Sequence, residues 1–135
     1  MALVFALCCS MPVSWTIEPE GGFVVLLPTD PATFEEWRTA MLAVLAAPVS
    51  KPRLKMLIDR RNSEPVSVEF VNQMTDFFAT HQRALAGSRR AIVVSDDAGF
   101  GMARMTELKS ALENPDSLAH VFRSYPEAVQ WLAGG

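Results

Sequence analysis

Three carboxylates stand where two apolar runs end. Asp59 closes Leu54-Lys55-Met56-Leu57-Ile58, and Asp96 with Asp97 follows Ile92-Val93-Val94-Ser95. If those runs are neighbouring strands, the carboxylates meet at one sheet edge, which is how an α/β fold assembles an oxygen-ligand Mg²⁺ site. A site of that kind also wants a lysine after the last strand. None stands in a suitable place, so loop polarity and helix capping is the preferred reading of these acids. Arg60, Arg61, Arg89 and Arg90 lie at the ends of the same runs and could clamp an anion through charge-assisted hydrogen bonds. Arginines flanking buried strands are more ordinarily exposed, solvated charges, and they are read so here.

The remaining reactive side chains point to no catalyst. Gly99-Phe100-Gly101 lacks the third glycine and the later acidic partner of a dinucleotide fingerprint. Ser63 and Ser67 are not in a Gly-x-Ser-x-Gly elbow, so no serine hydrolase follows. His81 and His120 have no Cys or Glu at metal-ligand spacing, and both read as structural or exposed. Neither metal nor cofactor is expected. Met74, Met102 and Met105 could line an adaptable ligand pocket, although methionine at helical spacing is first of all core filler.

The elements that must position these residues follow from hydrophobic period and punctuation. Val13-Ser14-Trp15-Thr16-Ile17 alternates, Gly21-Gly22 supplies a turn, and Phe23-Val24-Val25-Leu26-Leu27 resumes as a strand, which predicts an antiparallel opening pair. Pro28-Thr29-Asp30-Pro31 halts it. Thr33-Phe34-Glu35-Glu36 is a capping box opening a helix to about Ala47, with Phe34, Trp37, Met41, Val44 and Leu45 as its apolar stripe. After the central strand ending at Asp59, Ser67 is a helix N-cap, Val71, Met74, Phe78 and Leu85 make the buried stripe, and Gly87 closes what should be the longest helix. Arg90-Ala91-Ile92-Val93-Val94-Ser95 reads as a strand buried on both faces. A third helix turns Met102, Met105, Leu108 and Leu112 inward and stops near Asn114-Pro115. Ala119-His120-Val121-Phe122-Arg123 is the last strand, and Ser124-Tyr125-Pro126-Glu127 caps a final short helix through Trp131. Trp37, Phe78 and Trp131 all fall on inward stripes.

The fold class is therefore α/β: a single-domain sandwich with a mixed, mostly parallel five-stranded sheet and about four helices. Its 135 residues bury a real core without a staple. Half are hydrophobic, but no apolar run is long enough to span a bilayer. A net charge of -3 argues against nucleic acid, since phosphate neutralisation needs clustered Lys and Arg. Cys8 and Cys9 are adjacent and cannot form an ordinary structural disulfide, which fits a reducing, cytoplasmic setting. Residues 1–12 read as an N-terminal extension or tail and 13–135 as the domain. The first ten lack the basic segment and cleavage site of a secretion signal.

Leu57-Ile58-Asp59, Ala91-Ile92-Val93-Val94-Ser95, Gly101-Met102, Val121-Phe122-Arg123, Glu127-Ala128 and Trp131-Leu132, in this order of elements, resemble the STAS domains and the small bacterial SpoIIAA-like (STAS/SEC14-type) proteins. The resemblance spans about residues 13 to 133. It implies a non-catalytic regulatory module that binds a partner protein or its own copy. In anti-sigma factor antagonists a serine in Asp-Ser-Ser-Gly at this helix start is phosphorylated; the matching Val66-Ser67-Val68-Glu69 keeps one serine and lacks the tandem serine and the glycine. The SEC14-type side implies a carrier of a small apolar or lipid-like ligand. An α/β enzyme using Asp59 and Asp96 is the third reading. Asp59, Arg60, Arg61, Ser67 and Asp96 are the expected partner or ligand surface, at the carboxyl edge of the central strands where such folds meet their ligands.

Overall fold

The computed structural model describes residues 13–18, 21–28, 33–51, 53–64, 66–113 and 117–134. The expected N-terminal extension, the stop at Thr29-Asp30-Pro31 and the Asn114-Pro115 stop fall outside them. Five strands form one sheet: β1 (Val13–Glu18), β2 (Phe23–Pro28), β3 (Lys55–Asp59), β4 (Arg89–Val93) and β5 (Leu118–Phe122). They lie in sequence order across it. β1 runs antiparallel to β2, in register Val13 to Pro28, and every later pair is parallel. The helices are α1 (Phe34–Ala46), α2 (Val68–Thr80), α3 (Gln82–Leu85), α4 (Asp97–Glu113) and α5 (Tyr125–Ala133). The mixed, mostly parallel five-stranded α/β sheet is as the sequence implies.

Sequential parallel strands joined by right-handed crossovers place every connecting helix on the same face. So α1, α2 and α4 cover one side, while α5, which follows β5, folds back over the other. The side chains of the central strands alternate between them. Val24, Leu26 and Met56 point toward Trp37, Met41, Val44, Phe77 and Phe78, and Ile92, Val94 and Val121 toward Ala103 of α4. Phe23, Val25, Leu57, Ala91 and Val93 point toward Ala128 and Leu132 of α5. Being covered twice is why β2, β3 and β4 read as apolar runs instead of alternating ones.

Local signals act where the sequence puts them. Thr33 and Glu36 form the full capping box of α1, each side chain taking the other's amide at 3.2 and 2.9 Å. Ser67 Oγ accepts from the Phe70 amide at 3.0 Å, and Ser124 Oγ from that of Glu127 at 3.4 Å. Gly22 and Gly87 hold positive φ, +66° and +74°.

Four expectations need correction. The helix expected from Ser67 to Gly87 breaks at His81, which brings the α-helices among the described residues to five. His81 caps α2: its ring stacks on Phe77 with centroids 4.1 Å apart and its Nδ1 meets the Phe77 carbonyl at 2.8 Å. The single turn α3 then buries Leu85. The longest helix is α4, at 17 residues. Its inward face is also not the one hydropathy suggests: Leu108 and Leu112 are 56% and 84% exposed, whereas Ala103, Thr106 and Ser110 are buried. Small side chains let α4 approach the sheet closely, and its buried hydroxyls have polar neighbours to satisfy. Trp37 and Phe78 are core residues as expected, but Trp131 is only half-buried, resting against Arg89, whose Cζ lies 4.8 Å from its ring.

Candidate ligand pocket

At the carboxyl edge of β3 and β4 the alternation of side chains sorts the expected site residues onto opposite faces. Asp59, in phase with Leu57, lies on the α5 side. Arg61 Nε and Nη2 donate to its two carboxylate oxygens at 2.9 and 2.8 Å, and the Arg61 amide adds a bond at 3.2 Å. The Arg61 side-chain hydrogen bonds hold the Asp59 carboxyl below the usual carboxylate range, despite partial burial. The guanidinium also lies 4.8 Å over the ring of Tyr125, whose hydroxyl is pushed up by burial and by the nearby Asp59 charge. Ser95 Oγ donates to the Arg61 carbonyl and ties this loop to the next.

Arg60, in phase with Ile58, lies on the other face. It lines a cavity together with Asp96 and Ser63. The Asp96 carboxylate also caps α4, accepting from the Gly99 amide at 2.6 Å, as the preferred reading of that acid holds. Asp97 pairs with Arg123 at 2.6 Å. Ser67 is exposed at the start of α2, with its hydroxyl in the cap. The structure thus pairs Asp59 with Arg61 on one side of the sheet edge and sets Arg60, which donates to the Glu64 carbonyl, and Asp96 around one cavity on the other.

The cavity is the concave apolar feature of this face. It has a volume of about 50 Å³ and runs between α2, α4 and the sheet, walled by Phe70, Met74 and Phe78 on one side and Met102, Ala103 and Thr106 on the other. Leu26, Ile58, Ile92 and Val94 form its sheet wall. One water needs roughly 10–15 Å³ of such space and a cavity of roughly 150 Å³ admits benzene, so the space holds a few solvent molecules and takes a larger guest only as the two flexible thioethers move. A larger depression of about 280 Å³ between α1 and α2 is edged by the exposed Arg38, Asp76 and Thr80, an open surface rather than a pocket.

Arg90 lies at the opposite end of the cavity from Asp96. It is in phase with Ile92 and Val94 and is 1% exposed, which corrects the expectation of a solvated charge. Arg89, out of phase, is half-buried on the α5 side and donates to the Trp131 carbonyl at 2.8 Å. The Arg90 guanidinium lies 3.9 Å over the Phe78 ring, and Nη2 donates to Ser117 Oγ at 2.8 Å and Ser110 Oγ at 3.3 Å. No carboxylate among the described residues pairs with it, and its Nε is buried without a hydrogen-bond partner. The Ser88 hydroxyl, just before β4 and outside the cavity lining, is equally unpartnered.

Arg90 was misread because a run-edge arginine looks solvated by composition. The available signal was its phase with Ile92 and Val94, matched by polar Thr106 and Ser110 interrupting α4's hydropathy. Met74 and Met102 do line a cavity, as their type allows; Met105 is half-buried and outside the lining. Compared with known proteins, the chain matches no family model, no curated protein and no solved structure.

Proposed function

We propose that this protein is a non-catalytic binding module of the STAS-like kind whose working part is the pocket between α2 and α4, where it holds a small apolar molecule. The observation that carries this is the apolar cavity itself, running from the exposed edge at Asp96 to the buried Arg90. Walls of Phe, Met and aliphatic side chains with a few polar groups are the usual make-up of a small-ligand site. Of the sheet-edge candidates, Asp59 and Arg61 pair with each other, Asp96 takes a helix amide and Arg60 donates to the Glu64 carbonyl, which favours binding over catalysis. The order of elements is the one on which the STAS resemblance rests. Adjacent cysteines fit the proposed cytoplasmic setting, and no helix among the described residues is long and apolar enough to cross a membrane.

A second reading, a surface for a partner protein or a second copy, is favoured by one observation. Val68 is 54% exposed beside the exposed Ser67 and Glu69 at the start of α2. An apolar side chain there is available for contact, and a phosphate on Ser67 would add charge at the helix start.

The test of the pocket uses 1-hexanol as an apolar probe and methyl-labelled methionine spectra as the readout. Shifts of the Met74 and Met102 methyls, absent in Ala103→Leu where a larger side chain fills the space, are expected. Unmoved methyls at saturating probe would refute the pocket and leave the α2 start as the surface to examine.

A further inference from the structure

We propose that the pocket takes an anion: a short-chain monocarboxylate whose apolar tail lies along the α2 and α4 walls and whose carboxylate meets the guanidinium of Arg90. This rests on the pocket reading above and adds the charge of the ligand to it.

The inference begins with an imbalance. A buried charge is ordinarily paired, because removing an ion from water costs several kcal/mol that only a counter-charge and full hydrogen bonding offset. Arg90 is 1% exposed and lacks a carboxylate partner among the described residues. Its two recorded hydrogen bonds go to neutral hydroxyls, both from Nη2. Burial pushes its pKa down to about 10, which leaves it charged at neutral pH.

Unmet hydrogen bonding marks the same place. Arg90 Nε and Ser88 Oγ are the buried side-chain atoms without partners among the described residues; Arg90 lines the cavity, whereas Ser88 precedes β4 and lies outside the lining. Native proteins leave few such groups unsatisfied, so the Arg90 Nε marks a place where an acceptor belongs. A water would accept one bond but bring no charge.

Chemistry and size narrow the anion. A guanidinium presents coplanar donors that match the two oxygens of a carboxylate, and one arginine balances one negative charge. A phosphate dianion would leave a buried excess charge, and the cavity of about 50 Å³ has no second cation deep within it; Arg60 lines it with Asp96. The other end suits an aliphatic tail, since the sheet wall from Ile92 to Val94 and the Met74 and Met102 side chains offer only apolar contact. From Arg90 to Val94 the strand rises about 13 Å, long enough for an extended six-carbon acid, whose volume the cavity admits only as the flexible Met74 and Met102 side chains swing aside.

The experiment compares hexanoate with hexanamide, its neutral counterpart of the same shape, on the whole chain, following the Met74 and Met102 methyls. Hexanoate is expected to bind roughly ten- to a hundredfold tighter, the difference a charge-assisted pair makes over a neutral one. In Arg90→Met the two probes should bind alike, and Arg90→Lys, which keeps the charge without the fork, should retain part of the preference. Equal binding of both probes to the wild type overturns the carboxylate and leaves an apolar pocket. Failure of both probes to move the methyls overturns the pocket as well. A preference for hexanoate that persists in Arg90→Met overturns the assignment to Arg90, and if that variant does not fold, the Lys variant and the wild-type comparison decide.

Discussion

Replacing Arg90 by Met should leave the ligand-free protein as stable as the wild type, or more so, although it removes a fully buried side chain with three recorded contacts. Those contacts are the bonds to Ser117 at 2.8 Å and Ser110 at 3.3 Å and the 3.9 Å approach to the Phe78 ring. The shorter bond is worth about 2 kcal/mol and the longer one less than about 1, as charged donors to neutral acceptors. The ring contact adds about 2 kcal/mol in a desolvated site. Their loss, near 5 kcal/mol, is set against a burial penalty of several kcal/mol for an uncompensated ion. Methionine also restores apolar contact with Phe78, Ile92 and Met74, and Ser110, being helical, can turn its hydroxyl to the carbonyl four residues earlier. The balance is expected between zero and about 2 kcal/mol of stabilisation. At a urea dependence of about 2 kcal/mol per molar, that moves the midpoint upward by at most about 1 M. Arg90→Ala is the control, because it opens a void and should cost about 3 kcal/mol or more. If the Met variant is instead less stable than wild type by more than about 2 kcal/mol with an unchanged slope, the guanidinium already has its counter-charge in the folded chain. The reasoning for an empty anion anchor then fails.

Other perturbations separate interior from surface. Leu108→Ala and Leu112→Ala should each change stability by less than about 0.5 kcal/mol in urea titration, since both side chains of α4 face solvent; a cost near 2 would restore the hydropathic stripe to the core. Asp59→Asn should cost about 0.5 to 1 kcal/mol at pH 7, the range for a pair with Arg61 nearly half exposed. Because the folded Asp59 pKa lies below its ordinary 3.8, that contribution is present above 3.8 and disappears as pH falls through the lower folded value, so wild type and variant should converge only in acid. Gly87→Ala should cost about 1 to 2 kcal/mol by thermal melting, because φ there is +74° and the added Cβ would meet Arg53 Cδ at 2.7 Å; an unchanged melting temperature would show that this turn relaxes freely.

What could be read from the chain alone is what neighbours in sequence decide. The caps at Thr33, Ser67 and Ser124 are settled between a side chain and an amide three residues away, and the positive φ at Gly22 and Gly87 by the absence of a Cβ, all within one turn. The strands are nearly as local, since period-two runs flanked by turn residues have few other ways to bury themselves. Even the division of the sheet edge follows from adjacency: consecutive residues of an extended chain face opposite ways, so Asp59 and Arg60 could not have shared one side of the sheet.

The pocket is different, because each of its defining residues takes its role from a partner far along the chain. Arg90 is buried only because α4 crosses its face with Ser110, and Ser117 sits at the head of β5, 20 and 27 residues away. Ser110 faces inward to meet that same arginine, against its own hydropathy, while Thr106 turns its hydroxyl back to the Met102 carbonyl. The end of α2 at His81 is by contrast local, an imidazole stacking on the ring four residues earlier and meeting the Phe77 carbonyl, which apolar spacing alone does not report. Periodicity reports which residues prefer to leave water. It does not report which polar group will meet another once two elements pack, because that depends on the sheet order and on how closely a helix with small residues on one side can approach. Secondary structure and the α/β class were thus set within the sequence, whereas the buried cation, its hydroxyl partners and the space beside it came from the packing of α2 and α4 on one face of the sheet.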